Sequence, residues 1–207
     1  MVQGSKYAGF VLERRRTRIA EVFPEGLEDA ARREIARKVV EGITQHPNQE
    51  RVSKVVGRLD EYWRRSGGDL AEAHPTVVEA KILDQLQTVS SWQDFVETAV
   101  QLCLDDFLTH DQRAELDSLP TTATIRGKHI PLRYEFDGKT PVVRLRLQEA
   151  LALRLSERYL PPLDRPIRFS VIRGKREVIR VASLEEMQQA LRRLPEDRHG
   201  RRRRGRR

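Results

Sequence analysis

Ile130-Pro131-Leu132-Arg133-Tyr134-Glu135-Phe136-Asp137-Gly138-Lys139-Thr140-Pro141-Val142-Val143-Arg144-Leu145-Arg146-Leu147 is the stretch from which the fold can be read. Ile130, Leu132, Tyr134 and Phe136 alternate with Pro131, Arg133 and Glu135, and Val143, Leu145 and Leu147 alternate with Arg144 and Arg146. A period of two marks half-buried strands. Asp137-Gly138 between the runs favours the positive φ angles of a tight reversal, so the segment is predicted to be a β-hairpin. Its polar face carries Arg133, Arg144 and Arg146, and every charge on the second strand is positive. A sheet face of that kind attracts anions.

The same residues carry a family resemblance. Leu119-Pro120, Gly127 leading into Ile130-Pro131-Leu132 and Tyr134, and Pro141-Val142-Val143-Arg144-Leu145-Arg146-Leu147-Gln148-Glu149 resemble the C-terminal accessory region of bacterial DEAH-box ATP-dependent RNA helicases. In that family a helix and a final strand pair follow, and here Ile167–Val171 and Val178–Val181 occupy the place of the pair. The resemblance covers residues 119–194, and the upstream helices are similar only loosely. It implies a non-catalytic region at the exit side of a nucleic-acid channel that holds the strand while an ATP-driven motor moves. ATP and magnesium would then enter only through motor domains elsewhere, in cis or in trans, since both motor domains are missing from this chain.

At 207 residues, 38% hydrophobic and 34% charged, the chain falls among polar globular proteins and has room for a real core. It has no apolar run of bilayer-spanning length and no signal-peptide pattern, so a soluble, cytoplasmic protein with no membrane partner is expected. One cysteine, Cys103, excludes an internal disulfide framework and a multi-cysteine zinc site. The net charge of +8 is unevenly spread: residues 1–119 carry net −5, residues 120–194 net +8 and residues 195–207 net +5. Such asymmetry points to a polyanion partner for the C-terminal half, or to two halves that face each other.

Along the chain, Tyr7–Leu12 and Thr17–Phe23 read as strands around Glu13–Arg16, a hairpin expected either to be the edge of a sheet lying upstream or to dock on the helices. Helical periodicity follows. One stripe runs from Leu27 to Ile43 and stops at His46-Pro47, and a second from Val52 to Trp63 ends at Gly67-Gly68. A third takes Val78 to Val89, and a fourth, opened by Ser91 and Asp94 at capping-box spacing, takes Trp92 to Leu104, which places Cys103 in a buried stripe. Asp111–Leu116 adds a short turn. Gln148–Arg158 is predicted helical until Pro161-Pro162. Arg173-Gly174-Lys175-Arg176 is predicted to be a hairpin tip, and Ser183-Leu184-Glu185-Glu186 to open a last helix ending at Pro195. Arg198–Arg207, almost all arginine and glycine, is expected to stay disordered until it meets an anion.

The domain expectation is a hairpin at 1–23, a helical domain at 24–118, a basic β-rich domain at 119–194 and a tail at 195–207. The fold class is α+β: an antiparallel helical segment, then a small, mostly antiparallel sheet with two short helices, for which an open OB-like barrel is one candidate form.

Catalytic constellations do not emerge. Gly138-Lys139-Thr140 has the ending of a phosphate-binding loop, but Arg133 stands at the earlier glycine position and Pro141 follows before a strand. The histidines 46, 74, 110, 129 and 199 show no ligand spacing. Cationic surface is what remains. The candidate nucleic-acid ligands are Arg126, Lys128, Arg133, Arg144, Arg146, Arg168, Arg173, Lys175, Arg176 and Arg180, joined by Arg201, Arg202, Arg203 and Arg204 of the tail. The plain alternative is a solvated face, or one facing the acidic helices. Few aromatics accompany these residues, and Tyr134 and Phe169 alternate with arginines as core positions do. The pattern favours backbone-dominated binding of single-stranded nucleic acid, RNA before DNA, without base recognition. The competing expectation is a stand-alone RNA- or ribosome-associated protein whose helices dock on a partner while its tail binds RNA.

Overall fold

The computed structural model describes residues 2–7, 10–16 and 22–194 and divides into two compact units, Met1–Trp63 with Leu70–Gln112, and Arg64–Asp69 with Arg113–Arg207. It has the expected α+β composition. No helix among the described residues is long and apolar enough to cross a membrane.

In the first unit, β1 (Val2–Tyr7) pairs antiparallel with β2 (Phe10–Arg16), with Tyr7 opposite Phe10. This corrects the expected turn at Glu13–Arg16, which is strand. Those four residues include no glycine, proline or asparagine, whereas Gly9 stands between β1 and β2. The expected strand at Thr17–Phe23 falls largely outside the described residues.

Helix α1 (Glu28–Val40) ends before His46-Pro47. Gly42, at φ 74°, donates to the Val39 carbonyl (3.1 Å) and Ile43 to that of Lys38 (3.1 Å), the paired bonds of a Schellman stop. Ile43, expected as the last residue of the apolar stripe, lies past this stop and is exposed. Helix α2 (Gln49–Ser66) ends at Gly67 as expected, and α3 (Pro75–Gln85) starts with proline at its first turn, behind a His74 cap.

Helix α4 is only Trp92–Glu97, although Ser91 Oγ accepts from the Asp94 N–H as the capping signal requires. Side chains just past its end and others remote in sequence stop it. Thr98 Oγ1 donates back to the Asp94 carbonyl (2.7 Å), Asn48 donates to the Val100 carbonyl, and His46 Nε2 lies 2.8 Å from the Thr98 carbonyl. Gln85 satisfies both backbone groups of Gln101, accepting from its N–H (2.9 Å) and donating to its carbonyl (2.8 Å). Backbone groups served in this way do not need helical partners. Cys103 is therefore exposed, not in a buried stripe.

Helix α5 (His110–Ser118) leads into the second unit, a five-stranded sheet in the order β3-β4-β5-β6-β7. Strand β3 (Thr122–Ile125), unread in the sequence, joins β4 (Lys128–Asp137) through Arg126-Gly127, both at positive φ (51° and 76°), the geometry of a two-residue hairpin loop. Strand β5 (Thr140–Gln148) completes the expected hairpin through Gly138 at φ 63°. The chain then crosses over and β6 (Ile167–Arg173) runs parallel to β5, followed by antiparallel β7 (Arg176–Val181). Strands β3 and β7 are opposite edges of an open sheet with sequential order, not the closing pair of an OB-like barrel.

The crossover helix α6 is only Glu149–Ala152, shorter than the expected 148–158: Arg154 and Leu155 already make tight bonds to the Leu151 and Ala152 carbonyls. Helix α7 (Leu184–Arg193) follows its Ser183 cap. Leu151 and Ala152 of α6, and Met187 and Leu191 of α7, join Ile130, Leu132, Tyr134, Leu145, Leu147, Phe169 and Val171 in one core on one face of the sheet. Residues 64–69 pack here too. Arg165 donates to the carbonyls of Arg64 (3.0 Å) and Arg65, and Gly67 at φ 76° lies so close to Pro141 that a Cβ would come within 3.3 Å of it.

Candidate nucleic-acid interface

Strand register places the polar residues of the second unit in cross-strand rungs on the face opposite that core. One rung is Arg133 (β4), Arg144 (β5) and Arg168 (β6), and the next is Arg146 (β5), Ser170 (β6) and Arg180 (β7). Like charges directly opposite each other repel. Carboxylates of the same face offset this: Glu135 accepts from Arg144 and, at 3.1 Å, from Arg180, while Asp137 accepts from Arg168 at 2.7 Å. The hydrogen bond from Arg168 holds the Asp137 carboxyl below its ordinary range.

These pairings sort the cations found in the sequence. Arg144, expected on an exposed face, is only 6% exposed; its guanidinium is committed to Glu135 and to the Phe169 carbonyl (3.1 Å). Arg168 also serves the Ala182 carbonyl, and Arg173 grips Glu149 with two nitrogens, lowering that carboxyl's pKa. Arg126 lies over the Tyr159 ring (4.9 Å to its centre) and donates to the Arg154 carbonyl. These are structural bonds. The other five, Lys128, Arg133, Arg146, Lys175 and Arg176, are exposed and make no ion pair with a carboxylate among the described residues. Arg201, Arg202, Arg203 and Arg204 lie outside those residues.

Three of the five meet where the sheet splits. The β4–β5 register runs from Asp137 opposite Thr140 to Leu132 opposite Leu145 and stops. Below it β4 pairs only with β3, and β5 only with β6. Leu132 turns its N–H to the β3 side, donating to the Thr121 carbonyl (2.9 Å), so position 131 turns toward β5, and proline has no N–H to give. The strands diverge there into a fork.

A cleft of about 490 Å³ fills the fork, lined by Lys128, His129, Arg146, Gln148 and Lys175, with apolar Ile130, Pro131, Leu151 and Ile172 and the Gly174 turn. No carboxylate lines it. His129 Nδ1 lies 3.3 Å from Thr124 Oγ1. The sequence named Lys128, Arg146 and Lys175 but missed His129, Gln148 and the cleft itself. A proline inside an alternating run was the one available signal.

No group of three or more metal-ligating side chains occurs among the described residues. The chain matches no protein-family model, no curated protein and no solved structure. The arrangement therefore defines its class by chemistry alone: a cationic, carboxylate-free cleft at the forked end of an open sheet.

Proposed function

We propose that the second unit binds the sugar-phosphate backbone of single-stranded RNA through this cleft and the neighbouring Arg133 and Arg176. The observation that carries the reading is the segregation of charge: Arg144, Arg168, Arg173 and Arg180 are matched with the sheet's own carboxylates or carbonyls, while Lys128, Arg146 and Lys175 converge on a cleft without one. Guanidinium and ammonium groups so placed donate to phosphate oxygens. The cleft has no phenylalanine, tyrosine or tryptophan in its lining, which favours backbone contact over base stacking.

The role is that of a non-catalytic accessory module, the one implied by the resemblance of residues 119–194 to helicase C-terminal regions; the motor and its ATP belong elsewhere. The test is fluorescence anisotropy with a single-stranded RNA, comparing the full chain with one lacking 195–207. The folded face is expected to retain salt-sensitive binding after the tail is removed. Complete loss of binding with the tail would move the activity to the tail and overturn the reading.

A further inference from the structure

We infer that the fork is a seat for the terminal phosphate of a nucleic-acid strand, a phosphomonoester, in preference to an internal phosphodiester. This rests on the reading just given and adds which part of the strand the cleft takes.

Shape comes first. The fork narrows to an apex where Leu132 and Leu145 resume pairing, and Leu151 and the Gly174-Lys175 turn also line it. Its volume of about 490 Å³ is on the scale of a small-ligand pocket.

Charge agrees with shape. Lys128, Arg146 and Lys175 bring three cations to one recess, with His129 and the Gln148 amide as further polar groups and no carboxylate in opposition. An internal diester offers one negative charge. A terminal monoester offers about −1.5 to −2 at pH 7 and three acceptor oxygens, which uses the three cations of the cleft more fully than a diester's single charge does. The apolar lining of Ile130, Pro131 and Ile172 gives the attached nucleoside a surface to lie on.

The experiment uses the full chain and one short RNA sequence in three forms, with hydroxyls at both ends, with a 5′-phosphate and with a 3′-phosphate, in competition binding. A nucleoside monophosphate alone is the fourth probe. One phosphorylated end is expected to bind about tenfold more tightly than the hydroxyl-ended RNA, as charge-assisted hydrogen bonds allow. Lys175→Ala and Arg146→Lys should each bring the ends within about twofold of one another, with circular dichroism showing the fold retained. Equal affinity for all three RNAs overturns the inference and leaves backbone binding standing, whereas failure of every RNA to bind overturns both. A nucleoside monophosphate binding as tightly as the phosphorylated RNA would assign the cleft to free nucleotides and overturn the assignment to a strand end.

Discussion

Pro131 stands where continued β4–β5 register would set it opposite Arg146, and the ladder ends one pair short of that position, at Leu132 and Leu145. The missing N–H and the widening of the sheet coincide, so one residue opens the recess that Lys128 lines from β4 and that Arg146 and Lys175 line from β5 and the β6–β7 turn.

Replacing Pro131 with valine returns the donor and a strand-favouring side chain. Pairing should extend toward Arg146, with a gain of about 1 kcal/mol from the added ladder bond. The cleft then narrows. Thermal melting is expected to rise while RNA affinity falls, and a rise in both would show that the fork is not the site.

Arg144 and Arg133 are neighbours across β5 and β4 but differ in what they do. Arg144→Ala leaves Glu135, its side chain 16% exposed, without its close partner and the Phe169 carbonyl without its donor; about 3 kcal/mol of stability should be lost. Arg133→Ala removes an exposed cation and should change stability by less than about 0.5 kcal/mol while weakening RNA binding. Denaturant unfolding and anisotropy on both variants separate the roles.

How far the sequence reached can be judged residue by residue. Alternation and Asp137-Gly138 were enough for the β4–β5 hairpin, because both are local. Strand β3 has only Ala123 and Ile125 as apolar residues in four, too few to show a period, and its turn uses Arg126 where glycine or asparagine is the usual sign. The early end of α4 depends on His46, Asn48 and Gln85, all distant in sequence. The division of arginines into bonded and available ones was out of reach for the same reason: that Glu135 meets Arg144 and Arg180 follows from register across three strand pairs. Composition showed the cations, and only the topology shows which have carboxylates of their own.

Acid should reveal the Glu149–Arg173 pair. The hydrogen bond from Arg173 lowers the Glu149 pKa in the folded state, so its contribution is complete above the ordinary glutamate range and is lost as pH falls through the depressed value. Between about pH 5 and about pH 2, Glu149→Gln should flatten the fall in stability relative to the parent chain. Identical acid-unfolding curves would show that the pair contributes nothing.

Gly67 makes a backbone prediction. At φ 76°, with Pro141 3.3 Å from where a Cβ would stand, Gly67→Ala should cost about 1 to 2 kcal/mol, read as a lower melting midpoint.

The central claim is that the folded cationic cleft, and not diffuse charge, grips phosphate. The most direct measurement is the salt dependence of single-stranded RNA affinity, from about 50 to about 200 mM, for the chain lacking 195–207 and for the same chain with Arg146→Ala and Lys175→Ala. Three to five phosphate contacts predict a log-log slope of about −2 to −3.5, reduced by about 1.4 when two of the contacts are removed. A slope near zero, or one that the two substitutions leave unchanged, would contradict it.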